Sequence, residues 1–262
     1  MKRVKFSRGV MLLPSLCTTG SMFFGFFSII RAIGGDYYAA AWSIFCASFF
    51  DLIDGRVARM TKTQSDFGKE YDSLVDLASF GLAPAILMYT WSLSSFRPVG
   101  WFFSFLFFAC VALRLARFNV QIHTVEKNKF QGLPCPPAAC LLASLVLFYH
   151  KLFGEGMIHS RAAFFLVPLL ALLMVSNIRY RSFKEYDVKK ANSFYVLIGA
   201  AVAVGIIAIS PEIVPFAAFS TYAFSGPIAS VFDFRKKRSS VKQKTRIPKL
   251  SVVDAEKKNE EI

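Results

Sequence analysis

The chain has 262 residues, 55% of them hydrophobic and 29 of them Phe, and its mean hydropathy of +0.46 excludes an ordinary soluble domain. Its 31 Lys and Arg against 17 Asp and Glu leave a formal net charge of +14. In so apolar a chain this charge reads as membrane topology and attraction to anionic lipid, and not as nucleic-acid binding.

Apolar runs that can span a hydrocarbon core, which takes about 20 residues each, fall near 10–32, 37–54, 70–92, 98–121, 134–153, 161–178, 193–210 and 212–232. The first follows K-R-V-K-F-S-R, continues for a full span without a small-residue cleavage site, and has Leu16 before Cys17, which does not fit a lipoprotein box. It is therefore read as a retained helix and not as a signal peptide. The second and third spans are the least hydrophobic because they carry acidic residues. Gly132, Pro134, Pro136 and Pro137 shape the approach to the fifth, since Pro is tolerated in a helix's first turn. Only a tight turn near Ser210 and Pro211 separates the last two.

Threading eight spans with the N-terminus inside places 27 of the 31 Lys and Arg on one side, leaving only Arg31, Arg97, Lys151 and Arg161 elsewhere. That bias predicts a multi-pass protein of the cell membrane with both termini, and the loop near residue 60, at the cytoplasmic face. The expected architecture is an all-α polytopic transmembrane bundle. Residues 1–192 form a unit of about six helices, 193–232 add two more, and 233–262 form a basic, flexible tail. Cys17, Cys46, Cys110, Cys135 and Cys140 lie in or beside apolar segments without a C-x2-C pattern and read as packing residues. His123, His150 and His159 are too scattered for a metal site, and no G-x-S-x-G or Walker loop is present.

The informative segment is D-L-I-D-G-R-V-A-R-M-T-K-T-Q-S-D-F-G-K-E-Y-D-S-L-V-D, from Asp51 to Asp76. Asp51 and Asp54 are three apart, Asp72 and Asp76 four apart, so on helices each pair presents both carboxylates on one face. A single Asp at the centre of a membrane helix costs roughly 2.5 to 3.5 kcal/mol on insertion scales, and such residues are usually functional and paired. Oxygen-only ligands on two facing helices suit Mg²⁺, Mn²⁺ or Ca²⁺, and a pair of such ions suits phosphoryl chemistry on a lipid whose chains stay in the bilayer. Gly55 and Gly68 admit close backbone approach by a phosphate or nucleotide, Ala58 keeps that wall low, and Arg59 offers a planar cation for phosphate oxygens. Asp66, between the two halves, reads as a helix N-cap in preference to a metal contact. Tyr71 reads as helix packing, and Ser73 is a candidate lining residue.

These residues resemble the signature D-x2-D-G-x2-A-R-x8-G-x3-D-x3-D of the CDP-alcohol phosphotransferases, and all eight specified positions match over 26 residues. The resemblance implies a six-helix catalytic core. It implies a pair of divalent ions, Mg²⁺ or Mn²⁺ with Ca²⁺ also acceptable, held by Asp51, Asp54, Asp72 and Asp76. It further implies a CDP site at Gly55, Ala58, Arg59 and Gly68, Asp76 as the base toward the acceptor hydroxyl, and a homodimer. Further along, S-F-G-L-A-P-A at 79–85, R-L-A-R-F-N at 114–119 and F-Q-G-L-P-C-P-P-A-A at 130–139 resemble the bacterial and archaeal phosphatidylserine synthases of that superfamily. The early L-P-S-L-C-T-T-G is similar to a P-N-x-x-T start in which Ser15 replaces the usual Asn.

The resemblance thus implies transfer of a phosphatidyl group from CDP-diacylglycerol to L-serine in the bilayer, with no nucleic acid involved. Arg114, Arg117 and Asn119 are candidates for the serine carboxylate or a lipid phosphate; the alternative for each arginine is snorkelling to the interface. Another acceptor, such as glycerol 3-phosphate or inositol phosphate, and a cation transporter are the competing readings.

Overall fold

The computed structural model describes residues 8–61, 66–121, 132–154, 160–178 and 210–244. Every element among them is helical: α1 (Arg8–Ile33), α2 (Tyr37–Thr61), α3 (Asp66–Asp76), α4 (Ala83–Trp91), α5 (Pro98–Gln121), α6 (Cys135–Phe153), α7 (Arg161–Val175) and α8 (Ile213–Lys244). A π-helical turn, Leu77–Leu82, joins α3 to α4 without a break, and a short 3-10 turn, Leu93–Phe96, precedes α5. The expected span at 193–210 lies almost wholly outside the described residues.

Helices α1 and α2 form the most extensive pair. Their connection turns at Gly35, whose φ of 83° is the left-handed conformation glycine favours, and Asp36 then caps α2 by accepting from the Ala39 N–H at 3.0 Å. Ala40, Ala41, Ile44 and Ala47 are fully buried along α2; the alanines are small enough to let the helices approach, and the Ser28 hydroxyl donates to the Ala40 carbonyl at 2.8 Å. Small residues and cross-helix hydroxyl bonds are what holds helices together where lipid removes the hydrophobic drive.

Helix α6 is the centre of the bundle. From Cys135 to Leu147 all but Pro136 and Pro137 are buried, so its apolar character all round is matched by neighbours all round, chiefly α2, α8, α4 and α7. Phe148 stacks on Phe216 and Phe45 meets Phe219, which seats α8 on α6 and α2.

Among the described residues, four helices are long and apolar enough to cross a membrane: Ser15–Ile33, Phe67–Trp91, Pro98–Val120 and Cys135–Phe153. The chain is a multi-pass membrane protein. Several boundaries differ from those expected. Helix α2 runs on to Thr61, so Asp51 and Asp54 sit inside a continuous helix and lower its hydropathy. Helix α7 stops at Val175 after 15 residues, where Ser176 turns back on it. Helix α8 continues past Phe232 to Lys244, because R-K-K-R-S-S-V-K-Q-K contains no Gly or Pro to stop it and its Lys, Arg and Gln favour helix.

Candidate active site

The spacing of the acidic segment does on the helices what it promises. Asp51 and Asp54 share a face of α2, Asp72 and Asp76 share a face of α3, and ligand oxygens of Asp51, Asp72 and Asp76 all lie within 4.8 Å of one another. The carboxyls of Asp51 and Asp76 are in hydrogen-bonding contact. Asp54 is 5% exposed and is held by the Thr18 hydroxyl and the Gly55 backbone N–H.

Charge balance at this point is poor. Asp54 Oδ2 and Asp76 Oδ1 are buried with no hydrogen-bond partner among the described residues. Buried charges need partners or coordinate metals. Converging carboxylates with orphaned oxygens therefore fit a hard, oxygen-preferring cation, and the donor set contains no soft ligand that would favour another class.

The π turn that follows Asp76 is a feature the sequence pattern did not reveal. The Ala83 N–H bonds to the Ala78 carbonyl, one residue wider than an α-turn, immediately after the last motif carboxylate. Ser79 Oγ reaches the Ser21 carbonyl at 3.1 Å across to α1. Gly25 makes this approach possible: a Cβ there would stand 2.5 Å from Ser79 Oγ and 2.8 Å from Ser79 Cα. Nearby, the Thr19 hydroxyl and Tyr71 OH are 2.9 Å apart, and Tyr71 stacks on Phe67.

The later motif residues separate by what they touch. Arg114 sends Nη1 to Cys135 Sγ at 3.1 Å, keeps Nε buried without a hydrogen-bond partner among the described residues, and lies close enough for its charge to act on Asp76. Arg117 bonds instead to α7's end, the Val175 carbonyl at 3.3 Å and Asn177 Oδ1 at 2.7 Å. Asn119 pairs with Ser73, Nδ2 to Oγ at 3.1 Å, which ties the end of α5 to α3 between Asp72 and Asp76. Gly55, Ala58 and Gly68 are half-buried in the same stretch. The side chains of Arg59 and Asp66 lie outside the described residues; Asp66 is the first residue of α3.

Sequence reasoning missed Thr18, Cys135 and Asn177. Thr18 occupies the Thr position of the P-N-x-x-T start, so a signal for it was present. Cys135 reads from sequence as packing alone; it is fully buried, and it is also the acceptor for Arg114. All five cysteines are free.

Fold and site together define a helical membrane protein with a carboxylate cluster suited to a hard cation. The family described as CDP-alcohol phosphatidyltransferase matches residues 11–175. The chain belongs to that family, whose members are generally divalent-metal dependent. It is 42% identical over 175 residues, 66% of this chain and 73% of the relative, to a CDP-diacylglycerol–serine O-phosphatidyltransferase of Helicobacter pylori. It is 38% identical over 172 residues, 64% of this chain and 69% of the relative, to an archaetidylserine synthase of Methanothermobacter thermautotrophicus. A CDP-diacylglycerol–serine O-phosphatidyltransferase of Mycobacterium leprae is 39% identical over 150 residues, 55% of this chain and 49% of the relative.

Proposed function

We propose that this chain is an integral-membrane phosphatidyltransferase that moves the phosphatidyl group of CDP-diacylglycerol to the hydroxyl of L-serine, giving phosphatidylserine and CMP. The observation that carries the reading is the convergence of Asp51, Asp72 and Asp76 within 4.8 Å on two helices of a membrane bundle. The serine-acting relatives support the choice of acceptor.

Asp51, Asp54, Asp72 and Asp76 would hold the cation, which we assign as a pair of Mg²⁺ or Mn²⁺ ions. Bound there, it would supply positive charge to phosphoryl oxygens during displacement. Gly55, Ala58, Arg59 and Gly68 seat the CDP moiety along α2 and α3. Asp76 accepts the proton of the serine hydroxyl as that oxygen bonds to the lipid-linked phosphorus; the bond from that phosphorus to the CMP oxygen breaks and CMP leaves. Arg114, the arginine whose charge acts on Asp76, is assigned to the acceptor carboxylate.

The positive-inside distribution supports a cytoplasmic active site and cytoplasmic termini in the cell membrane. The family resemblance supports a homodimer. Residues 1–192 form the catalytic unit in this reading, with the C-terminal helices appended.

An acceptor screen tests the proposal. Purified protein with CDP-diacylglycerol and divalent cation is offered L-serine, glycerol 3-phosphate or inositol phosphate, and CMP is measured with the lipid product. CMP release with serine is expected; release only with a phosphorylated acceptor would reassign the substrate, and cation flux into liposomes without any CMP would reject the enzyme.

A further inference from the structure

The last two turns of α5 are tied to three different helices. At 100° per residue, Arg114 and Arg117 lie about 60° apart on one side of the helix and Asn119 lies on the other. Arg114 reaches Cys135, the first residue of α6; Arg117 reaches the end of α7; Asn119 reaches Ser73 on α3.

The α7 end is itself a junction. Of its last carbonyls, Leu172 accepts from the Ser176 N–H and Leu173 from the Ser176 hydroxyl, and other segments add further donors here. Leu133 N–H bonds the Leu173 carbonyl at 3.2 Å, Gly132 N–H bonds the Ile178 carbonyl at 2.9 Å, and Arg117 covers Val175. Gly132 has a φ of 83° and lies so close to the Met174 carbonyl that a Cβ would collide with it. From this anchored Gly132–Leu133 pair, Pro134 leads directly to Cys135, whose sulfur meets Arg114.

We propose that Arg117 and Asn177 form a latch that sets the position of Arg114 at the acceptor side of the acid cluster. Arg117 and Asn177 are positioning residues and touch no substrate. The latch fixes the α5 end against α7, α7 fixes the 132–135 segment, and that segment presents Cys135 Sγ to Arg114. Two arginines with equal claims in the sequence thereby take different tasks. One fastens the helix ends, and the other faces the chemistry.

The inference rests on the serine-transfer reading above, and the test separates the two. Steady-state kinetics with varied L-serine and with varied CDP-diacylglycerol would be run on the parent, Asn177→Ala, Asn177→Asp, Arg114→Lys and the Asn177→Ala/Arg114→Lys double variant. Asn177→Ala is expected to raise the KM for serine about tenfold, the size of one charge-assisted hydrogen bond lost from the orienting network. The KM for CDP-diacylglycerol and kcat at saturating serine stay within about twofold of the parent.

Asn177→Asp, which still accepts from the guanidinium, restores the serine KM. The double variant is no worse for serine than Arg114→Lys alone, because both changes disturb one element. An Asn177→Ala protein with lowered thermal stability and an unchanged serine KM, or additive effects in the double variant, would overturn the latch and leave serine transfer standing. No serine product from the parent protein would instead overturn the reading on which it rests.

Discussion

Asp36 and Asp76 are both carboxylates of one membrane bundle, at opposite ends of it, and their surroundings differ in kind. Asp36 sits at the turn between α1 and α2 with Arg31 Nη1 at 3.4 Å and the Ala39 N–H on its other oxygen. Nearby polar groups are also answered locally: Tyr37 OH donates to the Thr90 carbonyl, and the Ser160 N–H donates to Ser92 Oγ. Asp76 lies among Asp51, Asp54 and Asp72, with Oδ1 unpartnered among the described residues and the charge of Arg114 acting on it. At the first end, the carboxylate is answered by one arginine and one backbone N–H of its own turn. The second leaves buried carboxylate oxygens without a partner among the described residues, and the proposed reaction would use them to hold a cation.

The sharpest way to break this comparison is to neutralise one carboxylate at each end. Asp76→Asn keeps size and removes charge and basicity; transfer to serine is expected to fall by about 10²–10⁴-fold, the usual worth of a positioned general base. Asp51→Asn should also abolish measurable turnover, with the protein still extracting and chromatographing as the parent does. Both are read by labelled lipid formed per enzyme. Removing divalent cation with a chelator should have an equally large effect, reversed on adding Mg²⁺ or Mn²⁺; unchanged turnover after exhaustive chelation would remove the cation from the account.

An intermediate effect is expected where α1 meets the π turn. Gly25→Ala puts a Cβ against Ser79 Oγ and Cα, and overpacking of this kind costs about 1–3 kcal/mol. Because Ser79 follows Asp76 by three residues, the strain should appear both in thermal stability and in turnover, whereas a purely structural contact would move stability alone. The smallest effect belongs to the other end. Asp36→Ala removes an N-cap and an exposed ion pair, worth about 1 kcal/mol of stability. Turnover at the assay temperature should stay within about twofold.

The same comparison shows what a sequence can disclose. The convergence of Asp51, Asp72 and Asp76 was legible because helical periodicity converts a spacing of three or four into a shared face; Asp54, expected with them, is held instead by Thr18 and the Gly55 N–H. The transmembrane pattern was legible in apolar runs, although α2 and α8 blur at their ends where charged residues continue a helix beyond its apolar part.

The arginine assignments were not legible. Arg114 and Arg117 differ in no local property, and their partners Cys135 and Asn177 lie 21 and 60 residues further on. Thr18 on Asp54 and Ser21 beneath Ser79 are contacts of the same long-range kind. The π turn escaped because S-F-G-L-A-P-A contains nothing that a plain helix leading into a proline would lack; it coincides with the close fit of Ser79 against Gly25 on another helix, a contact no local pattern announces.

The most direct measurement is transfer of isotopically labelled L-serine into lipid, with CMP release followed in parallel, for the parent protein, Asp76→Asn and Asp36→Ala under saturating CDP-diacylglycerol and divalent cation. Labelled lipid and equimolar CMP from the parent and Asp36→Ala, with both reduced at least about a hundredfold in Asp76→Asn, is the predicted result. Equal product from Asp76→Asn and the parent would contradict the claim that the uncompensated carboxylates carry the reaction.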